Sequence, residues 1–209
     1  MKITLYFVFI LMTIFSFCHQ ANQTPALINA SSQIITVDST LQDSIQCHIQ
    51  LISDRHFSQF KSPAEIRFFT NDLIVDSIVE KNAEMISWYT IYGDSTDLVV
   101  HFGEGFGTTS LLLRFLDSTI HVYYFIASHE GQRFFRLNKK DSLMSQAEVP
   151  ASNYKLYLAQ KPDKTRKQPV YGYIEMKSSE YLVNQKSMLV KCHIEMKFYF
   201  RSQYKKFNF

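Results

Sequence analysis

Two short segments carry the same suggestive order of residues: Ile45-Gln46-Cys47-His48-Ile49-Gln50-Leu51 and Val190-Lys191-Cys192-His193-Ile194-Glu195-Met196. Two thiols and two imidazoles are a common zinc-ligand set. Both segments, however, place apolar groups at every second position, which predicts β-strands with one dry and one wet side. Neighbouring residues on a strand point to opposite faces. A Cys and the His after it therefore cannot reach one ion without a bulge. No metal and no other cofactor is expected. The alternation sends Cys47 and Cys192 inward and both histidines outward. Two outcomes stay open for the sulfurs. Paired as a disulfide, they close a loop of roughly 145 residues and constrain the unfolded chain by up to roughly 5 kcal/mol. Unpaired, they are ordinary buried thiols.

A second constellation is His101-Phe102-Gly103-Glu104-Gly105-Phe106-Gly107-Thr108. Three alternating glycines can bare backbone amides to an anion. His101 and Glu104 are an acid–base pair in type, and Asp94 and Asp97 add carboxylates nearby. A phosphate-cradling loop should open a helix, yet strand-like Leu111 and its apolar successors follow. The expectation is a hairpin loop whose tip binds through His101, Gly103, Glu104, Gly105 and Gly107, with no residue assigned to catalysis. His56, His121 and His129 lack metal spacing, and no serine stands in a nucleophile-elbow pattern.

The elements that must carry these residues are strands. The clearest is 188–201: Val190, Cys192, Ile194, Met196, Phe198 and Phe200 share one face, and Lys191, His193, Glu195, Lys197, Tyr199 and Arg201 share the other. Further strands are expected at 33–37, 44–52, 64–70, 85–92, 98–102, 109–116, 119–127, 132–137, 154–160 and 170–177. Segment 73–79 suits a strand or a helix, and 143–149 a short helix or an edge. Gly93-Asp94-Ser95 marks a turn. Asp117-Ser118 links two segments that are apolar on both faces, which predicts a hairpin of central strands. Segment 132–137 is expected to pair back after Glu130-Gly131. Short spacings without a long amphipathic helix give an all-β fold. The first expectation is an antiparallel β-sandwich of about a dozen strands, and the alternative is a closed β-barrel.

The chain opens with Met1-Lys2 and an apolar run from Ile3 to Phe17. This run is shorter than the roughly 20 residues of a spanning helix. A signal peptide over 1–18, a flexible tether over 19–32 and one domain over 33–209 are expected. Cys18 ends the run. It is either a lipid-anchored N-terminus, as in bacterial lipoproteins, or a small residue beside an ordinary cleavage site. Charge is uneven: residues 19–154 hold 9 Lys+Arg and 15 Asp+Glu, and residues 155–209 hold 12 and 4. Either the two parts neutralise each other within one fold, or the basic part meets a polyanion.

These readings describe an exported, non-catalytic protein of the cell envelope, located in the periplasm, on the outer membrane or outside the cell, that binds a ligand or plays a structural part. Its expected partners are an envelope glycan, lipopolysaccharide or a protein. Nucleic acid is not expected, and membrane contact would come only through an N-terminal lipid. One alternative is an exported hydrolase with a His101/Glu104 site. Another is a small outer-membrane β-barrel, because the ending Phe207-Asn208-Phe209 after an amphipathic strand resembles the end signal of those proteins. Six glycines and several strands short of the ~10 residues a span needs argue against it.

Overall fold

A computed structural model describes residues 33–55, 57–102, 107–117, 119–128, 134–185 and 188–207. Their order is β1 (Gln33–Val37), α1 (Leu41–Gln46), β2 (Gln50–Ser53), β3 (Ser58–Thr70), β4 (Leu73–Tyr92), β5 (Ser95–Phe102), β6 (Gly107–Leu116), β7 (Thr119–Ser128), β8 (Phe134–Arg136), β9 (Gln146–Leu158), β10 (Val170–Ser178), β11 (Tyr181–Gln185) and β12 (Met188–Tyr204). The strands belong to one hydrogen-bonded sheet, so the fold is all-β as expected.

Consecutive strands from β3 to β7 pair antiparallel, and β9 and then β10 continue the series. β12 then pairs β10 along one edge and β3 along the other. The antiparallel pairings β3-β4-β5-β6-β7-β9-β10-β12 thus return to their start. β9 changes partner along its length: its first residues pair β7, and 154–158 take β1 as a parallel neighbour. β11 and β8 extend the sheet beside the start of β12.

Local chemistry explains the turns. Asn71 (φ +48) and Asp72 (φ +63) join β3 to β4 with two left-handed residues, the form that matches the twist of a hairpin. Gly93 (φ +52) turns β4 into β5, and Asp117 (φ +40) turns β6 into β7. One face of the strands is dry: Phe60, Tyr89, Leu98, Leu111, Leu113, Tyr124, Leu156, Phe198 and Phe200 are fully buried in a single cluster. In β12 the expected alternation holds over 194–200, with Ile194 and Phe198 enclosed and Lys197 exposed. His193 and Arg201, expected on the wet side, are buried, His193 against Phe69 and Arg201 against Asp54 and Ser58. Phe200 lies across its cross-strand partner Gly172, where a Cβ would meet the ring at 2.3 Å. β6 is covered on both faces, since Leu112 is buried as well as Leu111 and Leu113. β7 is less so, with Tyr123 and Phe125 half-buried.

Several expectations are corrected. Residues 44–52 are not one strand, because Asp38 accepts hydrogen bonds from the Thr40 amide (2.9 Å) and hydroxyl (2.8 Å) and turns the chain into α1. Only Ile45 of that segment's apolar set is buried; Leu51 is exposed. Residues 73–79 are strand, inside the 20-residue β4. Residues 146–149 are the start of β9, and Met144 bridges to Phe135. β8 pairs β11 rather than folding back on β7, whose edge β9 occupies. β11 was not anticipated at all.

Candidate ligand-binding face

The outward side of β9, β10, β12 and β3 carries ordered rows of side chains. Cross-strand register sets Lys155 beside Glu175, Glu175 beside Lys197, and Lys197 beside Glu65. The next row runs Asn153, Lys177, Glu195, Arg67. Charge alternates along both rows, and opposite charges across a strand pair attract. Lys155 Nζ lies 3.4 Å from Glu175, and Lys177 Nζ 3.2 Å from Glu195. Glu65 contacts both Lys197 and Arg67. The hydrogen bond from Lys197 is the main cause holding the Glu65 carboxyl below its usual value. Glu175 is held down first by the Tyr173 hydroxyl, which donates to it at 2.7 Å.

These residues line an open concavity of about 410 Å³. On one side stands a cross-strand row of tyrosines, Tyr157, Tyr173 and Tyr199. α1 packs over this side of the sheet, and His48 stacks on Tyr199 at 4.2 Å. On the other side His193 stacks on Phe69 at 4.3 Å. Its ring is buried, and burial followed by the nearby Lys177 charge pushes its pKa down. Alternating donors and acceptors at strand spacing, flanked by aromatic rings, suit a ligand rich in hydroxyls, each of which both donates and accepts.

The residues singled out by sequence do not gather at this face. Cys47 and Cys192 are not joined by a disulfide. Cys47 caps the C-terminus of α1, exposed, with its thiol donating to the Ser44 carbonyl at 3.1 Å. Cys192 is buried in β12 with Thr70 Oγ1 at 3.5 Å. Of the two outcomes left open, the disulfide does not form and the buried-thiol outcome describes Cys192 alone, because Cys47 is not on a strand. His101 is the penultimate residue of β5, its Nδ1 3.2 Å from Ser110 Oγ, and burial lowers its pKa. Gly103, Glu104 and Gly105 lie outside the described residues, as does Cys18; Gly107 begins β6.

Asp97 does not join a carboxylate cluster. It accepts two hydrogen bonds from Arg114 (3.0 and 3.1 Å), which also binds Glu148 through two (3.0 and 3.1 Å). Burial opposes the Arg114 charge, but these two carboxylates outweigh it and raise its pKa. Among the described residues no group of His, Cys, Asp and Glu is arranged to hold a metal. The charged rows escaped the sequence reading because they exist only across strands. The one local signal was the alternation of charge at Glu175/Lys177 and at Lys191/Glu195/Lys197. Comparison with protein-family models, with curated proteins and with solved structures gives no match.

Proposed function

We propose that the chain is an exported, non-catalytic cell-envelope domain that binds an envelope glycan on its outer surface. The alternating charged rows of β9, β10, β12 and β3, beside the Tyr157/Tyr173/Tyr199 ladder, carry this reading. Sugar hydroxyls find both partners there, and the apolar face of a sugar ring finds tyrosine. The finer architecture we propose is the closed barrel rather than the open sandwich, supported by the circuit of eight strand pairings that ends where it began. Its inside is filled by Tyr89, Tyr124, Phe60, Phe198 and Phe200, which leaves the exterior for ligands. The same charged exterior speaks against a lipid-facing wall, which needs an apolar band.

Titration with soluble peptidoglycan oligosaccharides, followed by amide NMR shifts, tests the reading. Shifts should concentrate on residues 153–157, 173–177 and 195–199. Glu195→Gln with Lys177→Ala should weaken binding about tenfold, the worth of roughly one charged hydrogen bond. Equal binding by that variant, or no shift at saturating sugar, would remove the proposal. Export and lipidation are read from the mass of the mature N-terminus, with Cys18→Ala as control.

A further inference from the structure

The end of the molecule away from the β3–β4 turn gathers cations from two distant parts of the chain. One part is the loop after β9, with Lys161, Lys164, Arg166 and Lys167; the other follows β12, with Lys205 and Lys206. Contacts place them together. The Lys167 ammonium sits 4.6 Å over the Tyr204 ring, and Lys205 sits 5.3 Å over Phe57. The Lys205 amide donates to the Tyr89 carbonyl (2.8 Å), and the Tyr89 hydroxyl donates to the Gln168 carbonyl (2.9 Å). Lys164 Nζ donates to the Gly93 carbonyl at 2.8 Å, which ties the loop to the β4–β5 turn.

Carboxylates are scarce at this end. Asp163 lies 3.9 Å from Arg166, and the fully exposed Asp94 lies 3.9 Å from Lys164. Asp163 already accepts from the Thr165 hydroxyl and amide and from the Arg166 amide. Among the described residues Lys161, Lys167, Lys205 and Lys206 make no ion pair. Six cations against two carboxylates leave a net of four positive charges in these two segments at one end of the strands. The contrast with the charged rows is plain: there nearly every lysine has its own glutamate. Phe57 and Trp88, tilted rings 5.0 Å apart, are buried, with the Lys205 ammonium over Phe57. The end is therefore a cationic plane rather than an apolar wedge.

We infer that this end docks on the phosphate layer of an anionic lipid bilayer. The loop is pinned at Gly93 and Gln168, so its cations are displayed together with little ordering left to do on binding. Clustered Lys and Arg are what an anionic membrane surface attracts, and the attraction fades within a Debye length of about 8 Å at physiological salt. The inference is independent of the glycan reading, since it uses unpaired cations where that face has paired charges, and a different part of the surface.

Cosedimentation of the mature, non-lipidated protein with vesicles tests it. Vesicles of one third phosphatidylglycerol in phosphatidylcholine should bind, and pure phosphatidylcholine should not. The variant Lys161→Gln, Lys167→Gln, Lys206→Gln should bind about 100-fold more weakly. Its circular dichroism should match the wild type. Lys177→Gln, on the charged rows, should bind vesicles like the wild type, which separates this site from the glycan site. Equal binding to neutral vesicles would overturn the inference, as would full binding by the triple variant. Saturable binding of dextran sulfate with none to anionic vesicles would overturn it in favour of a soluble polyanion.

Discussion

The two halves of β4 have similar apolar content and opposite fates. In 85–92, paired to β5 on one edge and to β3 and then β12 on the other, Met85 and Tyr89 are 1% and 0% exposed. In 73–80, where β3 is the only paired neighbour, Leu73, Ile74, Val75 and Val79 are 57–71% exposed. Burial here follows from strand neighbours rather than from residue type. A strand with two partners lies inside the sheet and turns one face to the cluster, whereas the arm beyond Met85 has an open edge and little to press against. Such an edge is guarded by charge in many proteins, and Asp76 and Glu80 stand on this one.

The sharpest test of that contrast is an apolar deletion in each region. Phe198→Ala, in the strand that pairs both β10 and β3, should cost about 4 kcal/mol. It should appear as a lower urea midpoint with little change in slope. A loss below about 1 kcal/mol would mean that the wall does not pack as described.

Next in size is Arg114→Ala, which strands Asp97 and Glu148 in a half-buried site. It should cost about 2 kcal/mol. Adding Asp97→Asn and Glu148→Gln should recover part of the loss, because the uncompensated charge and not the missing side chain dominates.

The third test is pH, read at His193, where β12 pairs with β3. Its imidazole is disfavoured as a cation in the fold, first by burial and then by Lys177. The unfolded ring takes its proton near 6.5, so the neutral-ring stabilisation is complete above that pH and declines as pH falls below it. Glu65 and Glu175 act lower: their depressed values give stability that is present above 4.5 and lost as pH falls toward the folded values. Urea midpoints should therefore fall in two stages on acidification. His193→Phe, which keeps the stack on Phe69, should flatten the upper stage, with His101 supplying the remainder. A single stage near 4.5 would show that the imidazoles are indifferent.

The smallest effect belongs to the arm. Ile74→Lys and Val79→Lys should each change stability by less than about 0.5 kcal/mol, and should reduce light scattering on concentration. A loss comparable to Phe198→Ala would show that the arm is covered in solution.

The sequence was readable where burial on one face alone decides the pattern. In β12, apolar and polar residues alternate without a break, so the strand and its inward set from Cys192 to Phe200 were legible. That His193 and Arg201 of the other face would be covered was not, because Phe69 and Asp54 reach them from distant segments. It was misleading at 45–51, where the same alternation arises by coincidence in a helical turn followed by a short strand. The side-chain bonds of Asp38 and Thr40 decide that region. The charged face was legible only as loose alternation, because whether Lys197 meets Glu65 or Glu80 depends on register between strands far apart in the chain. The glycine loop attracted notice through its composition, but composition carries no information about what surrounds it.

The pairing of β12 with β3 brings residues 192–198 against 64–70. β12 is thus synthesised more than a hundred residues after β3, whose outer edge meanwhile has only water for its hydrogen bonds. Contacts so remote in sequence make folding slow. During that interval β3 and β10 both offer bare edges to any passing chain, so the protein is most vulnerable to misassembly just before β12 arrives.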